Sequence, residues 1–364
     1  MKKNLIFFLA RFGRGGAGNS VFKLCNNLDK NKYKISIICL NFCAYEKKLK
    51  ENGVKVYKIK AKRILFTIFK LRKLIIDLTK KNKKNYLISN INYTNLLCAI
   101  FIKKNNNLKI IAIERTPFQE LEIYFNFVDK LKKNIIKFLI PFFYKKFDLI
   151  LCNSKHLGNY LKSKYKISSK TLFPPSLANF SKKKLFKKKN NKKYIRTVTV
   201  CRLSKEKNIL EILNVLKSIN YNIKLDIIGN GPEKKNIINQ IRYLGLKKKI
   251  KLLGFKKNPI QFLKKYDLYI NSSYFEGFPN SVVEAASAGV PIIASQSHGG
   301  INEILLKGKA GVIYKSPRQL KKNIINFIHN RKIFYTKAII AKKNTYNFFL
   351  KTHVKKFEEL INQI

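Results

Sequence analysis

The segment from Glu276 to Ala285, EGFPNSVVEA, carries the residue types best suited to chemistry. Glu276 stands in a loop with glycine and proline, and Glu284, after seven intervening residues, lies about one turn into a predicted helix. Such carboxylates can hold the hydroxyl groups of a polyhydroxylated ligand while helix amides hold a phosphate. The alternative is structural: Glu276 caps the helix and Glu284 pairs with a lysine. We favour binding, because this chain of 364 residues has only 19 Asp and Glu.

A second candidate site is the stretch RLSKEKN, which follows an apolar run that predicts the first strand of the second half. Arg202 stands at the end of that strand, and Lys207 stands near the start of a predicted helix. The two cations can converge on one anionic group, such as a diphosphate. A chance pairing is the competing interpretation, since the chain contains 77 Lys and Arg residues.

A glycine cluster, Gly13 to Gly18, follows the first predicted strand and precedes a helix expected to begin near Asn19 or Ser20. Backbone N–H groups without obstructing side chains can approach an anion at a helix start. The alternative is a plain tight turn, because the spacing does not match the dinucleotide-binding fingerprint.

The net charge is extreme, with 77 basic against 19 acidic residues and a formal value of +58. Such a charge suggests nucleic acid or an anionic membrane as partner. However, Lys, Asn, Ile, Phe and Tyr are all abundant while Trp is absent and Met occurs once, which indicates a genome-wide compositional bias. The lysines are dispersed and no aromatic–basic RNA-binding motif occurs, so we predict no specific nucleic-acid partner.

Cysteine usage and hydropathy indicate the compartment. The six cysteines lie mostly in apolar runs without a CxxC pair, which is typical of reduced thiols in a cytoplasmic protein. The apolar run at residues 5–10 is too short for a signal peptide, and no later run reaches the roughly 18 residues that span a bilayer. We expect a cytoplasmic protein, either soluble or peripheral on the cytoplasmic face of the inner membrane.

One predicted helix, at residues 64–80, combines an apolar stripe with basic residues, and residues 129–147 repeat the combination. Either these helices simply cover a sheet, or part of this face rests on an anionic membrane surface. The stripe consists of Ile64, Leu65, Ile68, Phe69, Ile75 and Ile76. The basic residues around it are Lys62, Arg63, Lys70, Arg72, Lys73 and Lys80.

Short β-rich runs alternate with amphipathic helical runs in two series, which predicts two doubly wound α/β domains. Prolines at 174 and 175 and a Lys/Asn-rich run mark the break between them. We therefore divide the chain into an N-terminal domain, a basic linker, a C-terminal domain and a final helix packing back on the N-terminal domain. The predicted bounds are 1–180, 181–193, 194–345 and 346–364.

The ordered motifs resemble the retaining GT-B glycosyltransferases of family 4. The resemblance covers nearly the whole chain and is strongest from Val200 to Gly311. The motifs that carry it are RLSKEKN, DIIGNGPE, LGFKKNP, DLYINSSYFEGFPNSVVEA, GVPIIAS and GGINEIL, with GRGGA in the first half. It implies two Rossmann-like domains facing across a cleft, with the nucleotide sugar bound by the second.

By this resemblance Glu284 binds the nucleotide ribose, Glu276 binds the donor sugar, and Arg202 with Lys207 binds the donor diphosphate. Glu276, Arg202 and Lys207 are thus the implied catalytic residues. Fixed cations and helix dipoles can stabilise the departing diphosphate without a metal, and no DxD triplet occurs, so no metal or cofactor is expected. Backbone groups at the helix start would also touch sugar or phosphate: those of Phe278, Pro279 and Asn280.

In the first half the resemblance implies that Gly16 approaches the diphosphate when the cleft closes. Many relatives carry Glu-Arg after the GGA motif, where this chain has Gly18 and Asn19, and a first-domain histidine that residues 86–120 lack. Arg115, in an ERTP stretch similar to that of some N-acetylhexosamine transferases, is a candidate acceptor or donor contact. His298 is interpreted as structural, because the departing phosphate itself can take the acceptor proton.

The predicted function is retaining transfer of a sugar, from a UDP-linked hexose or N-acetylhexosamine, to a glycan or lipid-linked acceptor. The process is cell-surface polysaccharide or glycolipid assembly. A nucleotide-sugar 2-epimerase on the same scaffold is the alternative enzyme, and a basic nucleic-acid-binding protein is the alternative outside enzymes.

Overall fold

The chain forms two compact units, Met1–Pro175 with Leu350–Ile364 and Ser176–Phe349. The computed structural model describes residues 2–62, 64–80, 84–124, 126–178 and 194–364. The predicted basic linker at 181–193 lies outside the described residues. Each unit is built on one parallel sheet, which confirms the predicted class of two doubly wound α/β domains.

The first unit has a seven-stranded sheet. Its strands are β1 (Lys3–Phe8), β2 (Tyr33–Leu40), β3 (Lys55–Ile59), β4 (Asn85–Asn90), β5 (Leu108–Glu114), β6 (Leu149–Cys152) and β7 (Lys170–Thr171). Its first helices are α1 (Gly16–Asn27), α2 (Glu46–Glu51), α3 (Ile68–Thr79), α4 (Asn92–Phe101), α5 (Phe127–Phe143) and α6 (Lys155–Tyr165). The sheet order is β3-β2-β1-β4-β5-β6-β7. Strands such as β1 are almost wholly buried, because helices cover both faces of a parallel sheet.

The second unit has a six-stranded sheet. Its strands are β8 (Ile195–Val200), β9 (Ile223–Ile228), β10 (Ile250–Gly254), β11 (Leu268–Asn271), β12 (Ile292–Ser295) and β13 (Val312–Tyr314), in the order β10-β9-β8-β11-β12-β13. Its helices are α7 (Ile209–Lys217), α8 (Lys234–Tyr243), α9 (Pro259–Leu263), α10 (Asn280–Ala288), α11 (Ile301–Ile304), α12 (Pro317–His329) and α13 (Arg331–Asn344).

The last helix, α14 (Leu350–Ile361), belongs to the first unit. The ring of its Phe357 lies 6.1 Å from the Phe7 ring of β1. The unit boundary falls after Phe349 instead of the predicted 345, since Phe348 packs edge-on against Phe278 at 5.1 Å. It falls before Ser176 instead of 181, because the Ser176 hydroxyl donates to Asn280 Oδ1 at 2.6 Å.

Helix α1 begins at Gly16, so the predicted start near Asn19 or Ser20 is wrong. Glycine has a low helix propensity, which argues against two glycines in a first turn. Packing decides otherwise: a Cβ on Gly18 would lie 2.1 Å from the Gly13 carbonyl oxygen. The close approach of loop and helix requires glycine there, and the helix tolerates it near its end.

Strands β8 and β11 are parallel neighbours in the second sheet. The loops that leave their carboxyl ends therefore emerge side by side. One loop carries residues 201–208 and the other carries residues 272–279. Ligands of open α/β sheets bind beyond these strand ends, so this topology brings the RLSKEKN and EGFPN segments together.

Candidate functional site

Lys207 and Glu276 form an ion pair between the two loops. Their Nζ and Oε1 atoms lie 2.6 Å apart, and the side chains are only 16% and 14% exposed. The Ser273 hydroxyl also donates to Glu276 Oε1, at 2.9 Å. Helix α10 has no side-chain cap, so the alternative that Glu276 caps this helix is wrong. The carboxylate is instead aimed at a cation on the neighbouring strand's loop.

The backbone around Lys207 is held from three sides. Lys207 ends a short 3₁₀ turn, and Asn208 after it adopts the left-handed conformation with φ 48°. The Ser272 hydroxyl donates to the Lys207 carbonyl at 2.8 Å. Asn208 Nδ2 donates to Glu211 at 2.9 Å, and the buried Tyr314 hydroxyl donates to the same carboxylate at 2.6 Å. These contacts fix the backbone from which the Lys207 side chain extends.

Glycines allow further loops to pack on the site. Gly299 has φ +129°, and a Cβ there would lie 1.5 Å from the Glu276 carbonyl oxygen. A Cβ on Gly300 would lie 2.4 Å from the Phe278 ring. The Glu276 amide donates to the His298 carbonyl at 3.0 Å. This loop therefore sets the backbone position of Glu276, and His298 contributes its carbonyl, consistent with a structural role.

Gly299→Ala is expected to destabilise the second unit by about 2 kcal/mol or more, because the methyl group both strains the backbone and overlaps the Glu276 carbonyl. Urea unfolding measures the change. Gly308→Ala is the matched control, since Gly308 also has positive φ, +96°, but nothing lies within 4 Å of its Cβ position. Equal losses in the two variants would show that the close approach at Gly299 contributes nothing.

The other predicted site residues of the second unit lie in the two loops and on α10. Arg202 is the second residue after β8 and is exposed, whereas Glu284 lies in the second turn of α10 and is half-buried. The side chains of Phe278 and Pro279 are buried, and the Pro279 carbonyl accepts hydrogen bonds from the first turn of α10. Asn280 begins α10, and its side-chain oxygen accepts the Ser176 bond described above.

Two predicted residues belong to the first unit and not to this cluster. Gly16 is the first residue of α1. Arg115 follows β5, and its Nε donates to Asn90 Oδ1 at 3.1 Å. Ser273 and Asn208 were not predicted from the sequence. The position of Ser273, three residues before Glu276, could have indicated a hydroxyl near that carboxylate. No feature of the sequence indicated that Asn208 adopts the left-handed conformation.

The site offers no nucleophilic thiol. Burial raises the pKa of Cys201, at the end of β8, to about 12, although nearby Lys207 acts in the opposite direction. The group therefore stays a neutral thiol near pH 7. Among the described residues, no group of three His, Cys, Asp or Glu side chains is arranged to hold a metal ion. What the site presents is a carboxylate and fixed cations, which suit a ligand carrying hydroxyls and phosphates.

Two models of known protein families match this chain, one in each half. The family model described as Glycosyl transferases group 1 matches residues 180–346, and the model described as Glycosyltransferase Family 4 matches residues 14–173.

Among similar proteins is the N-acetylgalactosamine-N,N'-diacetylbacillosaminyl-diphospho-undecaprenol 4-alpha-N-acetylgalactosaminyltransferase of Campylobacter jejuni. It is 28% identical over 327 residues, which are 85% of this chain and 86% of that protein. The capsular polysaccharide biosynthesis glycosyltransferase CapH of Staphylococcus aureus is 25% identical over 302 residues, 80% of this chain and 81% of CapH.

Solved structures of other proteins have the same fold as this chain. Crystal structures of Anabaena HepE with UDP and with UDP-glucose superpose with TM-scores of 0.79 and 0.78 at 17% and 16% identity. They cover 100% and 99% of this chain and 100% of the HepE chain. Two Rossmann-like units, the second with a carboxylate and cation pair at its strand ends, define a GT-B protein. The chain belongs to the group 1 glycosyltransferases, enzymes that transfer sugars.

Proposed function

We propose that the protein is a retaining glycosyltransferase that takes a hexose or N-acetylhexosamine from a UDP-sugar. The observation that carries this proposal is the half-buried Lys207–Glu276 pair beyond the carboxyl ends of β8 and β11. It presents a cation to a diphosphate and a carboxylate to sugar hydroxyls within one small site. The UDP and UDP-glucose in the HepE structures support a nucleotide donor of this kind.

In the proposed reaction the bond from sugar C1 to the β-phosphate oxygen breaks, and a bond from C1 to the acceptor oxygen forms on the same face. The acceptor's hydroxyl proton passes to the departing phosphate. Negative charge grows on that phosphate, where Lys207 and Arg202 stabilise it. When a phosphate takes over Lys207, the carboxylate of Glu276 is released to accept hydrogen bonds from the sugar.

The donor can be identified by thermal stabilisation with a panel of UDP-, GDP- and ADP-sugars, since a ligand that binds only the folded state raises Tm. We expect the UDP-sugars to give the largest shift. Proton NMR of the first product from an α-linked donor should then show the α anomer. A β product would contradict retention, and stabilisation by GDP- or ADP-sugars alone would contradict the UDP assignment.

EDTA is expected to leave the transfer rate unchanged, because the charge on the departing diphosphate is stabilised by fixed cations. The measurement is initial rate with and without chelator, followed by addition of magnesium or manganese. A rate that falls to background with EDTA and returns with either ion would refute the metal-independent mechanism.

We further propose that the acceptor is a glycan or lipid-linked sugar of cell-surface polysaccharide or glycolipid assembly. The undecaprenol-linked substrate named for the Campylobacter relative and the capsular role of CapH support this class. No helix within the described part of the chain is long and apolar enough to cross a membrane. We propose that a lipid-linked acceptor is reached from the membrane surface.

Two segments of the first unit leave large apolar side chains exposed. On α5, Ile136 and Ile140 are buried in the core, while Phe127 is 78% exposed. The other exposed apolar residues of α5 are Val128, Leu131, Ile135, Phe138 and Phe142. The stripe predicted at residues 64–80 divides in the same way: Ile64 and Ile75 are buried, but Leu65, Phe69 and Ile76 are exposed.

The exposed apolar residues are accompanied by lysines and arginines, which suits the anionic cytoplasmic leaflet as their partner. Lys70, Arg72 and Lys73 are exposed on α3, and Lys130 and Lys132 on α5, whereas Arg63 lies outside the described residues. Each basic residue near such a surface adds about 1 kcal/mol before screening. One face of these helices is buried in the core and the other is exposed, so covering the sheet leaves an apolar and basic face that we propose contacts the membrane.

Replacing Lys70, Arg72 and Lys73 with Gln is expected to reduce sedimentation with anionic vesicles, and Phe138→Asp should reduce it further. Neutral vesicles should retain little protein. The matched control replaces Lys247, Lys248 and Lys251, which are exposed lysines of the second unit, and should bind like wild type. Negligible sedimentation with both vesicle types near about 0.15 M salt would refute membrane binding and favour a soluble acceptor.

A further inference from the structure

Three polar residues meet at the carboxyl ends of adjacent strands in the first unit. Asn90 ends β4, Arg115 follows β5 and Asn153 follows β6. Arg115 Nε donates to Asn90 Oδ1 at 3.1 Å, and Asn153 Nδ2 donates to the Arg115 carbonyl at 2.8 Å. This edge of an open α/β sheet is where such folds bind ligands, so the three form one connected group in a binding position.

The group contains no carboxylate, although the chain neighbour Glu114 acts electrostatically on Arg115. Burial lowers the pKa of Arg115 to about 10, which still leaves the guanidinium charged near pH 7. Among the described residues, no carboxylate forms an ion pair with it. Its neighbour Glu114 is fully buried and accepts hydrogen bonds from Asn95 Nδ2, at 2.5 Å, and from the Tyr144 hydroxyl. Burial raises the pKa of Glu114 to about 7, so this carboxyl is partly protonated near pH 7 and offsets the charge of half-buried Arg115 only in part. The remaining positive charge favours an anionic ligand.

Two hydrogen-bond acceptors in the same region also lack partners. His353 of α14 reaches the same sheet edge, because it contacts Phe173, which follows β7, the strand paired with β6. Burial is the main cause that lowers the pKa of His353 to about 3, and the charge of Arg115 acts in the same direction. His353 Nδ1 is 2.6 Å from the Phe173 carbonyl, so Nδ1 carries the proton and Nε2 is an acceptor. His353 Nε2 and Asn153 Oδ1 are buried, and neither finds a partner within the described part of the chain. A buried acceptor without a hydrogen bond costs free energy, so these two atoms favour a ligand that supplies donors such as hydroxyl groups.

We propose that Arg115, Asn153 and His353 form a binding site for a hydroxyl-bearing phosphate ester, the glycosyl phosphate portion of the acceptor. The guanidinium fork matches phosphate oxygens, and the two neutral acceptors match sugar hydroxyls. A neutral glycan would leave the cation unpaired. The inference rests on the proposed function and narrows its acceptor to one that carries phosphate.

The test is calorimetric binding of N-acetylglucosamine 1-phosphate and of N-acetylglucosamine, with the donor site saturated by UDP. Wild type should bind the phosphate ester at least about tenfold more tightly than the neutral sugar. Arg115→Gln should remove this preference, and Arg115→Lys should keep part of it. Arg318→Gln, an exposed arginine of the second unit, is the charge-matched control and should behave as wild type.

Asn153→Ala should weaken binding of both sugars while keeping the preference for phosphate. Equal affinity of the ester for wild type, Arg115→Gln and Arg318→Gln, in proteins with unchanged Tm, would overturn the proposal. Farnesyl diphosphate is then titrated in place of the ester. Tighter binding of farnesyl diphosphate than of the ester would indicate a lipid-linked acceptor, and weaker binding a soluble one. Hydrolysis of UDP-sugars by the wild-type protein is measured in parallel. If no hydrolysis is detected, the proposed function is refuted, but Arg115-dependent binding of the ester would still support the phosphate site.

Discussion

Glu276→Ala is expected to reduce sugar transfer to below about 1% of the wild-type rate while leaving UDP affinity within about threefold. The carboxylate is proposed to contact the sugar and not the base or ribose, so its loss removes orientation of the reacting carbon. It also leaves Lys207 without the partner that now lies 2.6 Å away. Transfer is followed by UDP release, and UDP affinity by calorimetry.

Two further variants make the Glu276 result specific. Glu276→Gln keeps the size of the side chain and should restore little activity, because the amide offers the sugar hydroxyls one neutral acceptor oxygen in place of two charged ones. Glu359→Ala, which removes an exposed carboxylate paired with Lys356 on α14, should transfer sugar normally. Near-normal transfer by Glu276→Ala would remove Glu276 from the reaction.

Lys207→Ala and Arg202→Ala are each expected to lower kcat by about 10²-fold or more, on the scale of losing one preorganised group that stabilises developing charge. The Lys207 variant should be the more damaging, since Lys207 is shielded and fixed by its backbone contacts while Arg202 is exposed. Initial rates at saturating donor measure kcat separately from donor binding.

The Lys207–Glu276 pair also predicts non-additivity. Because removing either partner leaves the other half-buried and unpaired, the double variant should lose much less than the product of the two single losses. Purely multiplicative losses would mean that the two side chains act independently. A kcat within about threefold of wild type in Lys207→Ala would contradict its role at the diphosphate.

Local sequence signals were enough to select the candidate site residues but not to predict the contacts among them. The EGFPNSVVE segment stood out because two scarce carboxylates flank a glycine- and proline-containing loop. Lys207 and Glu276 are 69 residues apart, and each was assigned a separate ligand. Their pairing depends on β8 lying beside β11, which a crossover connection hides from any local pattern.

Where prediction failed, tertiary packing had overridden local preference. The start of α1 was misplaced because the contact of Gly18 with Gly13 outweighs the low helix propensity of glycine. On α3 and α5, periodicity revealed apolar residues but could not tell which face the sheet covers. His353 reaches the Arg115 region only because α14 returns to the first unit.

We propose that the second unit binds a nucleotide sugar through two carboxylates with separate roles. Glu284 binds the ribose and Glu276 binds the sugar. Calorimetric titration of UDP into wild type, Glu284→Ala and Glu276→Ala tests this assignment most directly. The predicted result is affinity lowered at least about tenfold by Glu284→Ala, as for loss of a charged hydrogen-bond acceptor, and nearly unchanged by Glu276→Ala. UDP bound by Glu284→Ala as tightly as by wild type would contradict it.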